Sequence, residues 1–173
     1  MLSLQLFEAH TATVEANRAW IAPVNAILEG PLIKGQPVPV EVIYQDTGKG
    51  PALDNNNSGD TGITMPMSAA EAAEQQLVGP FRDTGNKCVG LKPKSGGPAI
   101  YPTGNVQMSI ERTVPADDFL LSGSRTFYVE GCFAYRTMGE VHDSSYCFWL
   151  GPHIDPVTKL RQFQTCVGGF QAN

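Results

Sequence analysis

The sequence predicts a mainly β fold, an antiparallel two-sheet β-sandwich with an N-terminal helix and one short inserted helix. Three observations predict it. Gly and Pro supply 18 and 13 of the 173 residues, so turns are frequent and long helices few. Charged residues make up only 17% of the chain and apolar ones 42%, which suits a single domain with a sizeable core. Short runs of alternating apolar and polar residues recur, each bounded by turn residues. A partly open barrel is the competing architecture.

The first element is helical. Residues 2–20 contain neither Gly nor Pro, and Leu4, Phe7, Val14 and Ile21 fall near one side at helical spacing. This predicts a short amphipathic helix ending near Asn17, followed by an extended segment over Ala19 to Leu28. Residues 1–18 thus form a helical segment and 19–173 the sandwich domain. The helix is read either as a juxtamembrane element docked on the domain or as a fraying tail.

Next comes a strand from Gly35 to Tyr44. Val38, Val40, Val42 and Tyr44 share one face, and Pro39, Glu41 and Ile43 the other. Pro37 and Pro39 cannot donate to a ladder, which predicts that this end lies at a sheet edge. Asp46 to Pro51 is turn chemistry. Asp54 to Gly62 is polar and Gly-bearing and is read as an exposed loop. Asp54, Asn56, Ser58 and Asp60 alternate as in a calcium loop, but the twelfth position holds Met65 instead of a bidentate Glu.

Ser68 and Glu71 form a capping box that starts a short helix over Ala69–Leu77, ended by Gly79-Pro80. Phe81 to Pro102 reads as loop, anchored by Cys88. Val106 to Val114 alternates as a half-buried strand. Thr126 to Arg136 is apolar on both faces, the mark of a central strand. Turns at Met138–Glu140 and Gly151–Pro156 then separate strands over Val141–Leu150 and Lys159–Val167. These last three strands form a meander.

Charge and hydropathy exclude several function classes. The formal charge is −5 and no segment is Lys/Arg-rich, so a phosphate-binding surface for nucleic acid is not expected. No apolar run reaches the about 18 residues a membrane span needs. Residues 1–8 lack a basic n-region and a cleavage site, so an export signal is expected outside this sequence.

The four cysteines, Cys88, Cys132, Cys147 and Cys166, permit two disulfides with three connectivities. No C-x-x-C knuckle is present, so structural zinc is not expected. Four buried thiols are the alternative.

Reactive side chains cluster at Glu140-Val141-His142-Asp143-Ser144-Ser145-Tyr146-Cys147. On a strand, His142 and Cys147 project to opposite faces, and so do His142 and Asp143. Neither a thiolate–imidazole pair nor a Ser/His/Asp triad follows, and no catalytic residue is assigned. A metal-dependent enzyme would need His142 and His153 to converge with a carboxylate. The simpler reading of His142 is a strand-end histidine bonded to a neighbour. Gly48-Lys49-Gly50 lacks the context of a phosphate loop. No cofactor or metal is expected. Tyr128, Phe133, Tyr135, Tyr146, Phe148 and Trp149 crowd the meander, either as core or as an exposed stacking surface for sugar or peptide.

Several segments occur in a recurring order. They are Asn17-Arg18-Ala19-Trp20-Ile21, the strand Val38–Tyr44, Gln45 to Ala52 (QDTGKGPA), Tyr128 to Tyr135 (YVEGCFAY) and His142 to Cys147 (HDSSYC). Together they resemble uncharacterised bacterial membrane-anchored proteins with an N-terminal transmembrane helix and a small extracytoplasmic Ig-like domain. The resemblance implies an Ig-like sandwich outside the cytoplasm, disulfides pairing Cys147 with Cys166 and Cys88 with Cys132, and an anchoring helix that this sequence lacks. It brings no catalytic residue. The expected function is a non-enzymatic binding or structural module that contacts another envelope protein or an extracytoplasmic ligand. Pro37, Pro39, Asp54, Asn56 and Asp60 are the candidate contact residues.

Overall fold

The computed structural model describes residues 2–63, 88–110, 113–154 and 160–172. The helix expected over Ala69–Leu77 lies outside them. In chain order the elements are α1 (Leu2–Asn17), β1 (Ile21–Leu28), β2 (Val40–Asp46), β3 (Leu53–Ile63) and β4 (Asn105–Ser109). They are followed by α2 (Asp118–Leu121), β5 (Phe127–Thr137), β6 (Glu140–Ile154) and β7 (Arg161–Ala172).

The strands form two antiparallel sheets. One has the order β1-β2-β4 and the other β3-β5-β6-β7. They face each other over one core, in which the rings of Tyr44 on β2 and Phe133 on β5 stack with centroids 4.3 Å apart. The alternation along β2 takes the form expected: Val40, Val42 and Tyr44 are buried. The meander is present as β5-β6-β7, with β5 central between β3 and β6. Both faces of β5 are buried. Phe127, Val129, Phe133 and Tyr135 enter the main core, and Cys132 and Ala134 are buried on the opposite face. On that opposite face Cys147, Trp149 and Cys166 form a second cluster with Tyr128 packed against it.

Both disulfides form with the pairing that the resemblance implied, Cys88–Cys132 and Cys147–Cys166. Two such bonds suit an oxidising, extracytoplasmic environment. Among the described residues no helix is long and apolar enough to cross a membrane.

Three expectations are corrected. Pro37 and Pro39 do not mark an open edge, because β2 is the central strand of its sheet. The segment before it is flanked on both sides: Glu29 N–H donates to the Pro39 carbonyl, and Val38 N–H donates to the Val114 carbonyl. The prolines precede the ladder, so their missing donors interrupt nothing. Asp54 to Gly62 is not a loop but most of β3, an 11-residue strand paired with β5 from Leu53↔Arg136 to Ile63↔Phe127. Its backbone bonds come from β5, and side-chain polarity does not forbid them at the margin of a sheet.

The third correction concerns α1. Ile21 does not extend its apolar stripe but starts β1, where it is buried. From Glu8 to Asn17 only Val14 is half-buried, so this part of the helix stands clear of the sandwich.

Candidate functional site

Glycine opens the ground on which the site is built. Gly59 on β3, Gly131 on β5 and Tyr146 on β6 lie in one cross-strand row. A Cβ on Gly131 would sit 2.3 Å from the Ser58 carbonyl oxygen and 2.6 Å from the Tyr146 hydroxyl. A Cβ on Gly59 would also sit 2.6 Å from that hydroxyl. The two bare positions let the Tyr146 side chain lie across β5 and reach β3.

There it meets Asn57. The Tyr146 hydroxyl donates to Asn57 Oδ1 at 3.1 Å, and the Tyr44 hydroxyl donates to the same oxygen at 2.7 Å. Two donors on Oδ1 fix the orientation of the carboxamide. Burial pushes both phenols up, Tyr44 well above the usual tyrosine range and Tyr146 to about 12. Both therefore stay protonated donors at any physiological pH.

Beside Asn57 runs a groove of about 550 Å³. Its described lining comes from Asn56–Asp60 of β3 and from Met108, Ser109 and Ile110 at the end of β4. Among the described strands these two are outer strands of different sheets, so the groove runs along one flank of the sandwich. A second groove, about 420 Å³, opens at the opposite flank between β1 and β7. The cation among its described lining residues, Arg161, is committed to the protein's own backbone. Arg161 donates through Nε to the Gly151 carbonyl and through Nη2 to the Leu150 carbonyl. Burial lowers its pKa.

Of the expected contact residues, Asn56 and Asp60 line the first groove, and Asp60 is exposed. Asp54 and Asn56 also bind the neighbouring loop. Asp54 Oδ1 accepts from Gly96 N–H, and Asn56 Nδ2 donates to the Lys92 carbonyl. With Asn55, whose Nδ2 donates to the Pro98 carbonyl, they hold the Cys88 loop along the start of β3. Pro37 and Pro39 lie just before β2, and neither is among the described lining residues of either groove. Asn57 went unnoticed in the sequence, where it sits inside a run of three asparagines.

The meander aromatics give no stacking surface. Phe133, Tyr135, Tyr146, Phe148 and Trp149 are at most 2% exposed, and Tyr128 is half-buried. His142 is also buried. Arg18 Nη1 lies 3.1 Å from its Nδ1. Arginine only donates, so Nδ1 accepts and the proton sits on Nε2, which lies 3.8 Å from Glu140 Oε2. This matches the reading of a strand-end histidine bonded to a neighbour, and it occupies the nitrogen a metal would need. The side chain of His153 lies outside the described residues. Among those described, the one grouping with metal-binding proximity is Cys88, Cys132 and Asp143, within 4.8 Å. Its two sulfurs are joined to each other, so neither offers a thiolate.

Comparison of the chain with models of protein families, with curated proteins and with solved structures found no match in any of the three.

Proposed function

We propose that this chain is a non-enzymatic binding module of an extracytoplasmic, membrane-anchored protein, and that its contact site is the groove between β3 and β4. One observation carries the reading: the groove runs along a flank of the sandwich and is lined by Asn57, whose carboxamide is held in place by the buried hydroxyls of Tyr44 and Tyr146. Sites of this kind bind by presenting preorganised polar groups in a concave surface. The reactive groups elsewhere are consumed by structure, His142 by Arg18 and the cysteines by each other. The paired cysteines support the extracytoplasmic location. The anchoring segment and the Ig-like ancestry come from the resemblance noted above, and the partner is another envelope component.

Site-specific photo-crosslinking tests the reading. A photoreactive side chain replaces exposed Ser58 in the groove, or exposed Asn25 at the opposite flank, in protein exported to the envelope. A discrete adduct from Ser58 and none from Asn25 is expected. Equal labelling from both, or none from Ser58, rejects the groove as the contact site.

A further inference from the structure

The groove is lined by five consecutive residues of β3 and three consecutive residues at the end of β4. A sheet face presents only alternate residues, so consecutive ones line a groove when the strand's edge faces it. The partners of β3 and β4 in their ladders are β5 and β2, on the far sides. In an antiparallel ladder alternate N–H and C=O groups of an outer strand point away from its neighbour. Among the described residues no backbone hydrogen bond outside the ladders reaches Asn56–Asp60.

The chain itself shows what such an edge accepts. Just before the groove, Ala52 and Ile100 exchange both backbone hydrogen bonds, at 2.8 and 2.9 Å. The segment carrying Ile100 lies flat against β3: a Cβ on Gly97 would stand 2.6 Å from the Asn55 carbonyl oxygen. An extended stretch of the chain therefore already lies alongside the start of this strand, and among the described residues its contacts with β3 reach as far as Asn56.

Charge selects what continues the row. Asp60 is exposed and makes no ion pair with a described residue, and no described Lys or Arg lines the groove. A second copy of the chain would bring another formal charge of −5 and a second Asp60 to the same edge.

We propose that the ligand of the groove is an extended, Lys- or Arg-bearing polypeptide segment of a partner protein that adds to the open edge of β3 as a further strand. This rests on the reading of the groove as the contact site. Five residues of edge, about 17 Å at the rise of an antiparallel strand, receive a segment of similar length. Backbone bonding supplies the affinity and Asp60 selects the cation.

The test uses the whole chain, disulfides intact, and three synthetic hexapeptides. One alternates Lys and Val, one alternates Glu and Val, and one is the Lys peptide N-methylated at alternate amides. Titrations are followed on backbone amides by two-dimensional NMR. The Lys peptide is expected to shift Asn56–Asp60 saturably, and methylation to weaken binding at least tenfold. Asp60→Lys, at an exposed position, is expected to keep the wild-type melting temperature and reverse the preference between Lys and Glu peptides. Equal binding of the methylated peptide overturns strand addition, and an unchanged preference in D60K overturns the cation. Shifts confined to other strands, or no saturable shift, overturn the proposal as a whole. So does a sedimenting dimer with Asn56–Asp60 protected in the absence of peptide, which assigns the edge to a second copy. Crosslinking from Ser58 to a partner that offers no extended basic segment rejects this inference and leaves the contact site standing.

Discussion

Arg18, the residue that follows the N-terminal helix, is hydrogen-bonded to His142 near the start of β6, 124 positions away, with Nη1 and Nδ1 3.1 Å apart. Both residues are 8% exposed. The guanidinium also lies 3.6 Å over the Trp20 ring and pairs through Nε with Glu15 at 3.3 Å. Arg18 thus ties α1 to the sandwich through a buried polar contact.

Removing the acceptor leaves a buried guanidinium nitrogen without its partner. His142→Ala is expected to cost about 1.5–3 kcal/mol, the range for hydrogen bonds to charged groups. His142→Asn, whose Oδ1 reproduces the acceptor at Nδ1, is expected to recover at least half of that loss. Urea denaturation of the two variants measures it. Equal losses would show that ring packing on Tyr135, with centroids 5.8 Å apart, matters more than the bond.

Gly131 permits the approach of Tyr146 and of β3. Gly131→Ala drives a methyl onto the Ser58 carbonyl, a backbone atom that cannot rotate away. A loss of about 2–4 kcal/mol is expected from overpacking and displaced pairing. Gly30→Ala meets nothing within 4 Å and is expected to stay within about 0.5 kcal/mol of wild type. Thermal melts of the two proteins decide it, and a Gly131 variant as stable as the Gly30 variant would contradict the close approach.

The disulfides differ in what they close. Their sequence separations are 44 for Cys88–Cys132 and 19 for Cys147–Cys166. By loop entropy their removal as paired serine variants is expected to cost about 4 and about 3 kcal/mol. Of the two bonds, the first is the one that anchors the loop around Cys88, so its loss should also speed amide exchange at Leu91, Gly96 and Gly97. The second joins neighbouring strands, and its loss should leave those amides unchanged. Exchange rates altered alike in both variants would refute this division.

Alkaline pH should unfold the protein through its buried phenols. Burial raises Tyr146 from 10.0 to about 12, and Tyr44 rises well above its usual value. Above pH 10 the unfolded tyrosines release protons that the folded ones keep, so stability falls as pH rises. The stabilisation is complete below pH 10 and is lost as pH climbs through about 12, on the order of 2–3 kcal/mol for Tyr146 alone. Urea midpoints of Tyr146→Phe between pH 9 and 11.5 are expected to fall less steeply than those of wild type. Identical slopes would place the lost protons elsewhere.

The amino-acid sequence by itself determined the elements that carry their own burial pattern. Val40, Val42 and Tyr44 alternate, the segment from Phe127 to Tyr135 is apolar on both faces, and Gly139 marks the turn between the first two meander strands, whereas the break expected at Gly151-Pro152 lies inside β6. Each pattern is local, and water alone sorts its faces. The sequence also restricted the cysteines to three pairings. The tertiary structure decided the rest. Asp54 to Gly62 has no apolar face to announce a strand, and it becomes β3 because β5 supplies its hydrogen bonds. Pro37 and Pro39 signal an edge in isolation, yet residues 29 and 114 lie on either side of them. Asn57 acquires its place only when two tyrosines, 13 and 89 residues away in the chain, bring their hydroxyls to one oxygen. The groove belongs to this second class. It exists because outer strands of two different sheets end up side by side, a relation between backbones distant in sequence that no run of residues encodes.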